Sequence, residues 1–293
     1  MKNALLFIFA LALFACSTGT KKKSANTQQA PMSYHLEKLW ESDTLVRTPE
    51  SVLLDRQRNI LYVSNVNENP WELDGNGFIS KMDKDGNIID LKWIVGLNAP
   101  KGMGISGNSL FIADVNALVE ANIETGEIIQ KIELDGKPDL NDITTANDGS
   151  VYVSGSGSVT IYKLNDKQLT PIFTGKEGER FNGLFWEKER MLLLTSNSSI
   201  FYEIPWSTME AKILAENMGH GDGIAPVGDG SYILSNWKGA INLLTEDGQQ
   251  VELLNTLSDE INAADIDFCV DDQILYVPTF FNNRVVAYKF VKK

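Results

Sequence analysis

Four residues with side-chain oxygens stand at the start of short apolar segments in this 293-residue chain. They are two carboxylates and two carboxamides, namely Glu50, Asn141, Asn182 and Asp222. If the fold brings them together, their charge of −2 matches a divalent cation, and oxygen-only ligation suits Ca²⁺ or Mg²⁺. No His or Cys stands at an equivalent position, which argues against structural zinc. Any one of the four alone could instead bond backbone N–H groups at a strand start.

A repeat determines where these residues lie. Aligning the residue just before each segment adds Lys101 and Ala264, and the successive intervals are 51, 40, 41, 40 and 42 residues. Each unit offers short strands of period two, separated by polar turns. The six copies of the second strand are Ile60–Ser64, Leu110–Asp114, Val151–Ser154, Met191–Thr195, Tyr232–Ser235 and Ile274–Val277. Four strands in about forty residues are typical of a β-propeller blade, so six units predict six blades.

The two ends of the repeat predict how the ring closes. The last unit offers only three strands, at Ile266–Val270, Ile274–Thr279 and Arg284–Phe290. Tyr34–Glu41 precedes the first unit and can supply the missing outer strand, which would remove an exposed edge. We therefore predict an all-β, six-bladed propeller over residues 34–293. A β-sandwich is the competing fold, but it would not explain the regular period.

Further candidates lie near the predicted mouth of the central channel. The long first interval places an insertion at Asn67–Gly77, and its Trp71 would either overhang a substrate pocket or pack on the neighbouring blade. Asp222 is the expected general base. His220 lies two residues before Asp222 and could relay a proton near neutral pH, although a lone His is more often structural or exposed.

Three further polar residues could either serve the site or have no part in it. Lys101 stands at the start of the second unit, where it would offset the acids, bind a substrate oxygen or remain solvated at the rim. Asn262 and Asp265 flank the start of the sixth unit. They would either reach the channel mouth or hydrogen-bond to a neighbouring blade.

Composition excludes several functional classes. Lys and Arg number 26 against 39 Asp and Glu, and the net charge of −13 argues against nucleic-acid binding. Two Cys and two His exclude a disulfide scaffold and a Cys/His-rich zinc module. Cys269 lies in an apolar stretch, so we expect it to be buried and inert. The sequence contains no nucleophile elbow, no phosphate-binding loop and no His-Glu-x-x-His motif.

The N-terminal segment predicts export and lipidation. Ala4–Ala15 is an apolar run of 12 residues, which suits a signal peptide and is too short to span a bilayer. The run ends in Leu13-Phe14-Ala15-Cys16, which resembles a bacterial lipoprotein box with Cys16 as the lipidated residue. We expect a signal peptide at 1–15, a flexible tether at 16–33 and an outer-membrane anchor facing the periplasm. A plain secretory signal is the alternative.

Motifs at four strand starts carry a family resemblance. They are Thr48-Pro49-Glu50-Ser51, Leu140-Asn141-Asp142, Phe181-Asn182-Gly183-Leu184 and Gly221-Asp222-Gly223-Ile224. In order and register they resemble the regucalcin (senescence marker protein)/gluconolactonase family. The resemblance implies a six-bladed propeller whose channel cation is held by Glu50, Asn182 and Asp222. It also implies that Asn141 is a further ligand or holds water or substrate.

One position departs from that family. Members that act on sugar lactones have Arg-x-Asn-Asp in the third blade, where the Arg holds substrate. This chain has Asp139-Leu140-Asn141-Asp142 instead. Because an acid replaces the base, the departure argues against an anionic or sugar-acid substrate.

These features favour a divalent-metal-dependent hydrolase of a lactone or related ester. One cation, Ca²⁺ first, with Mg²⁺, Mn²⁺ or Zn²⁺ as alternatives, would polarise the carbonyl while a channel carboxylate acts as general base. Asn141, Lys101 and Trp71 would contact the substrate. The alternative is a non-enzymatic propeller that binds a ligand or protein partner around a structural cation, which the acid at Asp139 favours. A cofactor-dependent sugar dehydrogenase would need several His and Arg residues in the channel, and the sequence does not offer them.

Overall fold

The propeller architecture predicted from the repeat is confirmed. The computed structural model describes residues 33–293, so the predicted signal peptide, Cys16 and all of the tether except Ser33 lie outside the described residues. The described range forms six four-stranded antiparallel sheets and two short 3₁₀ turns, Leu257–Asp259 and Phe280–Asn282. No helix within that range is long and apolar enough to cross a membrane.

Each sheet is one blade, and in blades 1 to 5 the strands run in chain order from the channel outward, whereas in blade 6 the N-terminal strand is the outermost. Blades 1 and 2 consist of β2 (Pro49–Asp55), β3 (Ile60–Asn65), β4 (Gly77–Met82), β5 (Ile88–Leu97), β6 (Pro100–Ser106), β7 (Ser109–Asp114), β8 (Ala117–Asn122) and β9 (Ile128–Glu133). Blades 3 and 4 consist of β10 (Leu140–Thr145), β11 (Val151–Gly155), β12 (Thr160–Asn165), β13 (Gln168–Thr174), β14 (Phe181–Trp186), β15 (Arg190–Thr195), β16 (Ile200–Pro205) and β17 (Lys212–Glu216). Blades 5 and 6 consist of β18 (Gly221–Pro226), β19 (Tyr232–Asn236), β20 (Ala240–Leu244), β21 (Gln250–Asn255), β22 (Asp267–Cys269), β23 (Ile274–Pro278), β24 (Val285–Lys292) and β1 (Tyr34–Glu41).

The N-terminal strand closes the ring as predicted. β1 pairs antiparallel with β24, from Tyr34 opposite Lys292 to Glu41 opposite Val286. Ser33, which the sequence assigned to the tether, exchanges two backbone hydrogen bonds of 2.9 Å with Lys293 and lengthens this pairing. The outer edge of blade 6 is therefore covered by the start of the propeller itself.

The hydrophobic core lies between blades. In the cluster shared by blades 1 and 2, Tyr62 and Ile79 pack with Met103 and Ile112. Clusters of the same kind fill the other blade interfaces. Because a blade is covered on both faces, its middle strands are apolar throughout, which accounts for the uninterrupted apolar runs of the second strands. Cys269 is buried in one of these clusters, as expected.

Trp40 offers a test of the closing strand. Its ring lies 6.0 Å from that of Tyr276, and its Nε1 donates a 2.9 Å hydrogen bond to the carbonyl of Lys84. We expect Trp40→Ala to lower the free energy of unfolding by about 3 kcal/mol, because it removes packing across the closure. Leu39→Ala is the matched control, since Leu39 is 49% exposed, and should change it by less than about 0.5 kcal/mol. Urea denaturation measures both, and equal losses would contradict the assigned role of Trp40.

Candidate functional site

One cavity gathers most of the residues that the sequence analysis proposed for chemistry within the described range. It has a volume of about 430 Å³ and lies at one end of the channel. The predicted residues in its wall are Glu50, Trp71, Lys101, Asn141, Asn182, His220 and Asp222. These residues come from five blades, so ring closure alone brings them together.

A bulge at the start of the inner strand in blades 1 to 5 directs these side chains. The four oxygen-bearing residues are each second in their strand, not just before it as the alignment assumed. In blade 3, Asn141 and Asp142 together face the single residue Ser154 across β10 and β11. Such a bulge turns one side chain out of the sheet alternation, here toward the channel. Asn182 and Asp222 occupy the equivalent position in their blades, and in blade 1 Glu50 is the single unpaired residue between Pro49 and Ser51.

Serine hydroxyls on the second strands hold the bulges in place. Ser154 Oγ accepts a 2.9 Å hydrogen bond from the backbone N–H of Asp142 and donates one of 2.8 Å to the carbonyl of Asn182 in the next blade. Ser235 makes the equivalent pair of bonds between blades 5 and 6. The backbone group freed by the bulge is thereby satisfied, and adjacent blades are joined beside the candidate ligands.

Three side-chain oxygens at this site are buried and accept no hydrogen bond from any described residue. They are Glu50 Oε2, Asn182 Oδ1 and Asp222 Oδ1. Asn182 is oriented by its other group, because Nδ2 donates a 3.2 Å bond to the carbonyl of Gly221. Buried polar atoms are nearly always paired, so three unpaired oxygens around one cavity call for a ligand.

This donor set fits a hard divalent cation. Carboxylate and amide oxygens are the ligands that Ca²⁺ and Mg²⁺ take. Residues 33–293 contain no group of three or more His, Cys, Asp or Glu side chains placed to hold a metal, so any cation here would depend on amide oxygens. Asn141 could contribute one, since its Nδ2 is bonded to Ser156 Oγ at 3.0 Å and its Oδ1 accepts no bond from the described residues.

Lys101 is a buried cation beside these acids. It is 1% exposed, and its ammonium makes no hydrogen bond or ion pair with residues 33–293. Its Nζ lies 4.2 Å from the centre of the Trp71 ring, a cation–π contact. Burial lowers the pKa of Lys101, and the nearby Glu50 and Asp222 oppose that shift. Lys101 therefore partly offsets the negative charge of the channel.

Burial also raises the pKa values of the two carboxyl groups in the cavity wall. It raises the pKa of Glu50 to about 8, although Lys101 acts in the opposite direction. The pKa of Asp222 is raised well above its ordinary value by burial and by Glu50. Each group therefore favours its protonated form unless a cation is bound near it.

His220 lies at the outer rim of the cavity. Its imidazole is exposed and makes no hydrogen bond with the described residues, while its backbone N–H donates to Asn236 Oδ1 at 3.1 Å. Partial burial, with Lys238 nearby, lowers the pKa of His220, so the ring is neutral at pH 7 and able to accept a proton.

Sequence reasoning missed half of the cavity wall. The additional lining residues are Pro70, Ser156, Arg180, Ser196, Trp237, Phe280 and Phe281. Arg180 is the most informative, because its guanidinium lies 3.9 Å from Asp139 Oδ2 and 5.3 Å from the Trp71 ring. The triplet Arg180-Phe181-Asn182 was a usable signal, since it repeats an Arg-x-Asn spacing one blade later than the family motif. A base thus faces the mouth although Asp139 is acidic.

Two proposed residues lie elsewhere. Asp265 Oδ2 accepts a 2.6 Å bond from Ser51 Oγ, which joins blades 6 and 1, and Asp265 lines a separate cavity of about 310 Å³ along the inner strands. Asn262 Nδ2 donates a 2.9 Å bond to the carbonyl of Trp237. Of the two interpretations that the sequence left open, the structural one applies to both.

Solved structures with this fold include two gluconolactonases. One, from Xanthomonas campestris, has a TM-score of 0.67 and 14% identity, covering 87% of this chain and 89% of its own. A proposed gluconolactonase has a TM-score of 0.67 and 15% identity, covering 89% and 93%. This chain shares the gluconolactonase fold. At such low identities the likeness establishes the architecture alone.

A second group of similar structures carries a different name. An inactive variant of virginiamycin B lyase from Staphylococcus aureus, crystallised with quinupristin, has a TM-score of 0.62 and 13% identity. The match covers 89% of this chain and 100% of that one. No protein-family model matches the sequence, and a search of curated proteins finds no relative.

The raised pKa of Asp265 leads to a prediction of how the stability of the protein depends on pH. Burial raises its pKa to about 7 from an ordinary value of 3.8, with Ser51 opposing and Asp267 adding to the shift. The folded state thus keeps a proton that the unfolded state releases, so the stability contributed by Asp265 falls as the pH rises between those values. We expect Asp265→Asn to reduce this decline in urea unfolding experiments. The exposed control Asp271→Asn should keep the decline of the parent protein, and a decline in Asp265→Asn as steep as the parent's would contradict the assignment.

Proposed function

We propose that this protein is a divalent-metal-dependent hydrolase of a lactone or related ester. The observation that carries the proposal is the set of three buried, unpaired oxygens of Glu50, Asn182 and Asp222 at the mouth of the channel. Similarity in fold to gluconolactonases adds support for the reaction class. Ca²⁺ is the cation that we favour, because every donor is an oxygen.

The residues of the cavity have separate roles in this proposal. A bound divalent cation would supply Lewis-acid polarisation of the substrate carbonyl. Glu50, Asn182 and Asp222 would hold it, and Asn141 would hold the substrate or complete the ligand set. Because burial raises the pKa of Glu50 to about 8, cation binding would release protons and strengthen as the pH rises toward that value.

Proton transfer falls to Asp222 and His220. Asp222, ionised when the cation is bound, would take the proton from a water molecule that attacks the carbonyl carbon. The acyl C–O bond then breaks, and the leaving oxygen takes up a proton. Neutral His220 at the rim would exchange protons between the cavity and solvent. Lys101 would contact a substrate oxygen or restrain the charge of the acids.

A non-enzymatic binding propeller with a structural cation is the second candidate. The observation that favours it concerns His220, the one His in the cavity wall, whose imidazole is exposed and bonded to no described residue. A proton relay normally has an orienting partner. In this alternative the mouth would bind a ligand or protein partner without turning it over.

We also propose that the protein is a lipoprotein of a bacterial cell envelope, anchored in the outer membrane and facing the periplasm. The support is the apolar run that ends at Cys16 and the polar segment that follows it. Expression with a labelled fatty acid should label the parent chain and leave Cys16→Ser unlabelled. Equal labelling of both would contradict lipidation at Cys16.

If the cation is bound at this site, replacing one of its ligands should reduce both Ca²⁺ binding and lactone hydrolysis. Ca²⁺ added to chelator-treated protein should raise the melting temperature by about 5 °C at roughly a hundredfold excess over Kd. Glu50→Gln and Asp222→Asn should abolish this shift and lower lactone hydrolysis by at least about a hundredfold, because each removes a charged ligand. A panel of aliphatic and sugar lactones, followed by acid release, measures turnover. Glu177→Gln, at an exposed loop, is the matched control.

Lys101 allows a second test of the metal site, by measuring Ca²⁺ affinity. Replacing its ammonium in Lys101→Met removes a positive charge near the cation, so Ca²⁺ affinity should rise by about tenfold.

Unchanged Ca²⁺ binding in Asp222→Asn would place the cation elsewhere and refute the proposed site. Cation binding without turnover of any lactone would favour the binding propeller.

A further inference from the structure

The mouth of the cavity is built from loops at equivalent positions in successive blades. These loops connect the second strand of a blade to the third. In blades 5, 6 and 1 they carry aromatic residues that line the cavity, namely Trp237, Phe280 with Phe281, and Trp71. In blades 3 and 4 the equivalent lining residues are Ser156 and Ser196. One side of the mouth, here called the aromatic arc, is therefore apolar, and the facing side is hydroxylic.

The aromatic arc is rigid at its centre. Phe280 is buried and packs edge-to-face with Phe281 at 4.8 Å and with Trp237 at 5.3 Å between ring centres. Its φ of 45° lies in the left-handed region, which a bulky residue adopts only when surrounding contacts impose it. Phe280 in turn contacts Val66 and Ala264 in the cluster below the loops. The strained, buried ring thus supports its two neighbours at the rim.

The outer aromatic rings remain available to a ligand. Phe281 is 60% exposed although it lines the cavity, and Trp71 is 37% exposed. Lys101 and Arg180, which also line the cavity, place their cationic groups over the Trp71 ring. The loop that carries Trp71 is tied to blade 2 by a 3.2 Å bond from the N–H of Gly75. Such preorganised aromatic surfaces bind apolar groups at little cost in conformational entropy.

We infer that the substrate carries an aromatic ring or an alkyl chain of several carbons next to its lactone or ester carbonyl. The apolar group lies along the aromatic arc, the carbonyl reaches the cation that Glu50, Asn182 and Asp222 would hold, and polar substituents face the serine side. This inference rests on the proposed hydrolase function and specifies its substrate class. A polyhydroxylated sugar lactone fits poorly, because hydroxyl groups against the aromatic arc would lose their hydrogen bonds to water without replacement.

Binding tests this inference separately from turnover. The probes are γ-lactams with methyl, propyl and pentyl side chains, together with gluconolactam, since a lactam resists hydrolysis. Tryptophan fluorescence and calorimetry measure binding to the Ca²⁺-loaded protein, and Trp71 and Trp237 line the cavity as reporters. We expect affinity to rise by about threefold for each added methylene and gluconolactam to bind most weakly.

Phe281→Ala is the decisive variant. The exposed Phe281 ring can be removed without opening the core, so the melting temperature should be preserved. The affinity for the pentyl lactam should fall by roughly threefold to tenfold, while that for the methyl lactam stays unchanged. Ile129→Ala, at a residue 55% exposed on the outer strand of blade 2, is the matched control and should alter neither.

The outcomes separate this inference from the proposed function. Affinity that is independent of chain length, or a pentyl lactam that binds Phe281→Ala as tightly as the parent, would overturn the assignment of the aromatic arc. Faster hydrolysis of gluconolactone than of alkyl lactones would overturn it too, while leaving the hydrolase proposal intact. Chain-length-dependent lactam binding with no hydrolysis of any lactone would uphold the aromatic arc as a binding surface and refute the hydrolase.

Discussion

Six inner strands converge on one narrow channel, and every feature of the site depends on how they fit together. In blades 1 to 5 the inner strand bulges at its start, so a backbone group leaves the regular ladder while the next blade approaches closely. A Cβ atom on Gly183 would lie 2.0 Å from the carbonyl oxygen of Asp222, which explains why glycine follows Asn182. In blade 3 the same place is taken by Asp142, whose Oδ2 accepts a 2.6 Å bond from the N–H of Leu184. Blade packing and the orientation of the oxygen-bearing side chains are thus set by one local distortion.

Convergence of the inner strands also concentrates charge. Glu50 and Asp222 are withdrawn from water at the mouth, where burial raises the pKa of both and makes the ionised forms costly. Lys101 offsets one charge but is itself buried without a hydrogen-bonding partner among residues 33–293. The protein therefore holds, in a single cavity, acids that favour neutrality and unpaired oxygens that favour a cation. A divalent ion would satisfy both, so the metal proposal connects the electrostatics with the hydrogen bonding.

The loops that connect the second and third strands of the blades are independent of the bulges. They differ from blade to blade in both length and chemistry, because the sheet below tolerates any loop that joins two antiparallel strands. The inner strands supply a set of oxygens common to several blades, and the loops add aromatic rings on one side and serines on the other. In this arrangement a shared reaction centre would be combined with a substrate preference particular to this chain.

Residues close together in sequence were the predictable part. The period near forty, the number of blades, the closing strand at Tyr34–Glu41 and the four oxygen-bearing residues all follow from local alternation and spacing, because each blade is built from consecutive strands. The tertiary structure alone decided which further side chains complete the cavity wall. Arg180, Trp237 and Phe281 belong to blades whose loops meet only after the ring closes. The orientation of Asn141 and Asp222 depends on bulges and serine hydrogen bonds that join blades about forty residues apart, and no local pattern encodes such a contact.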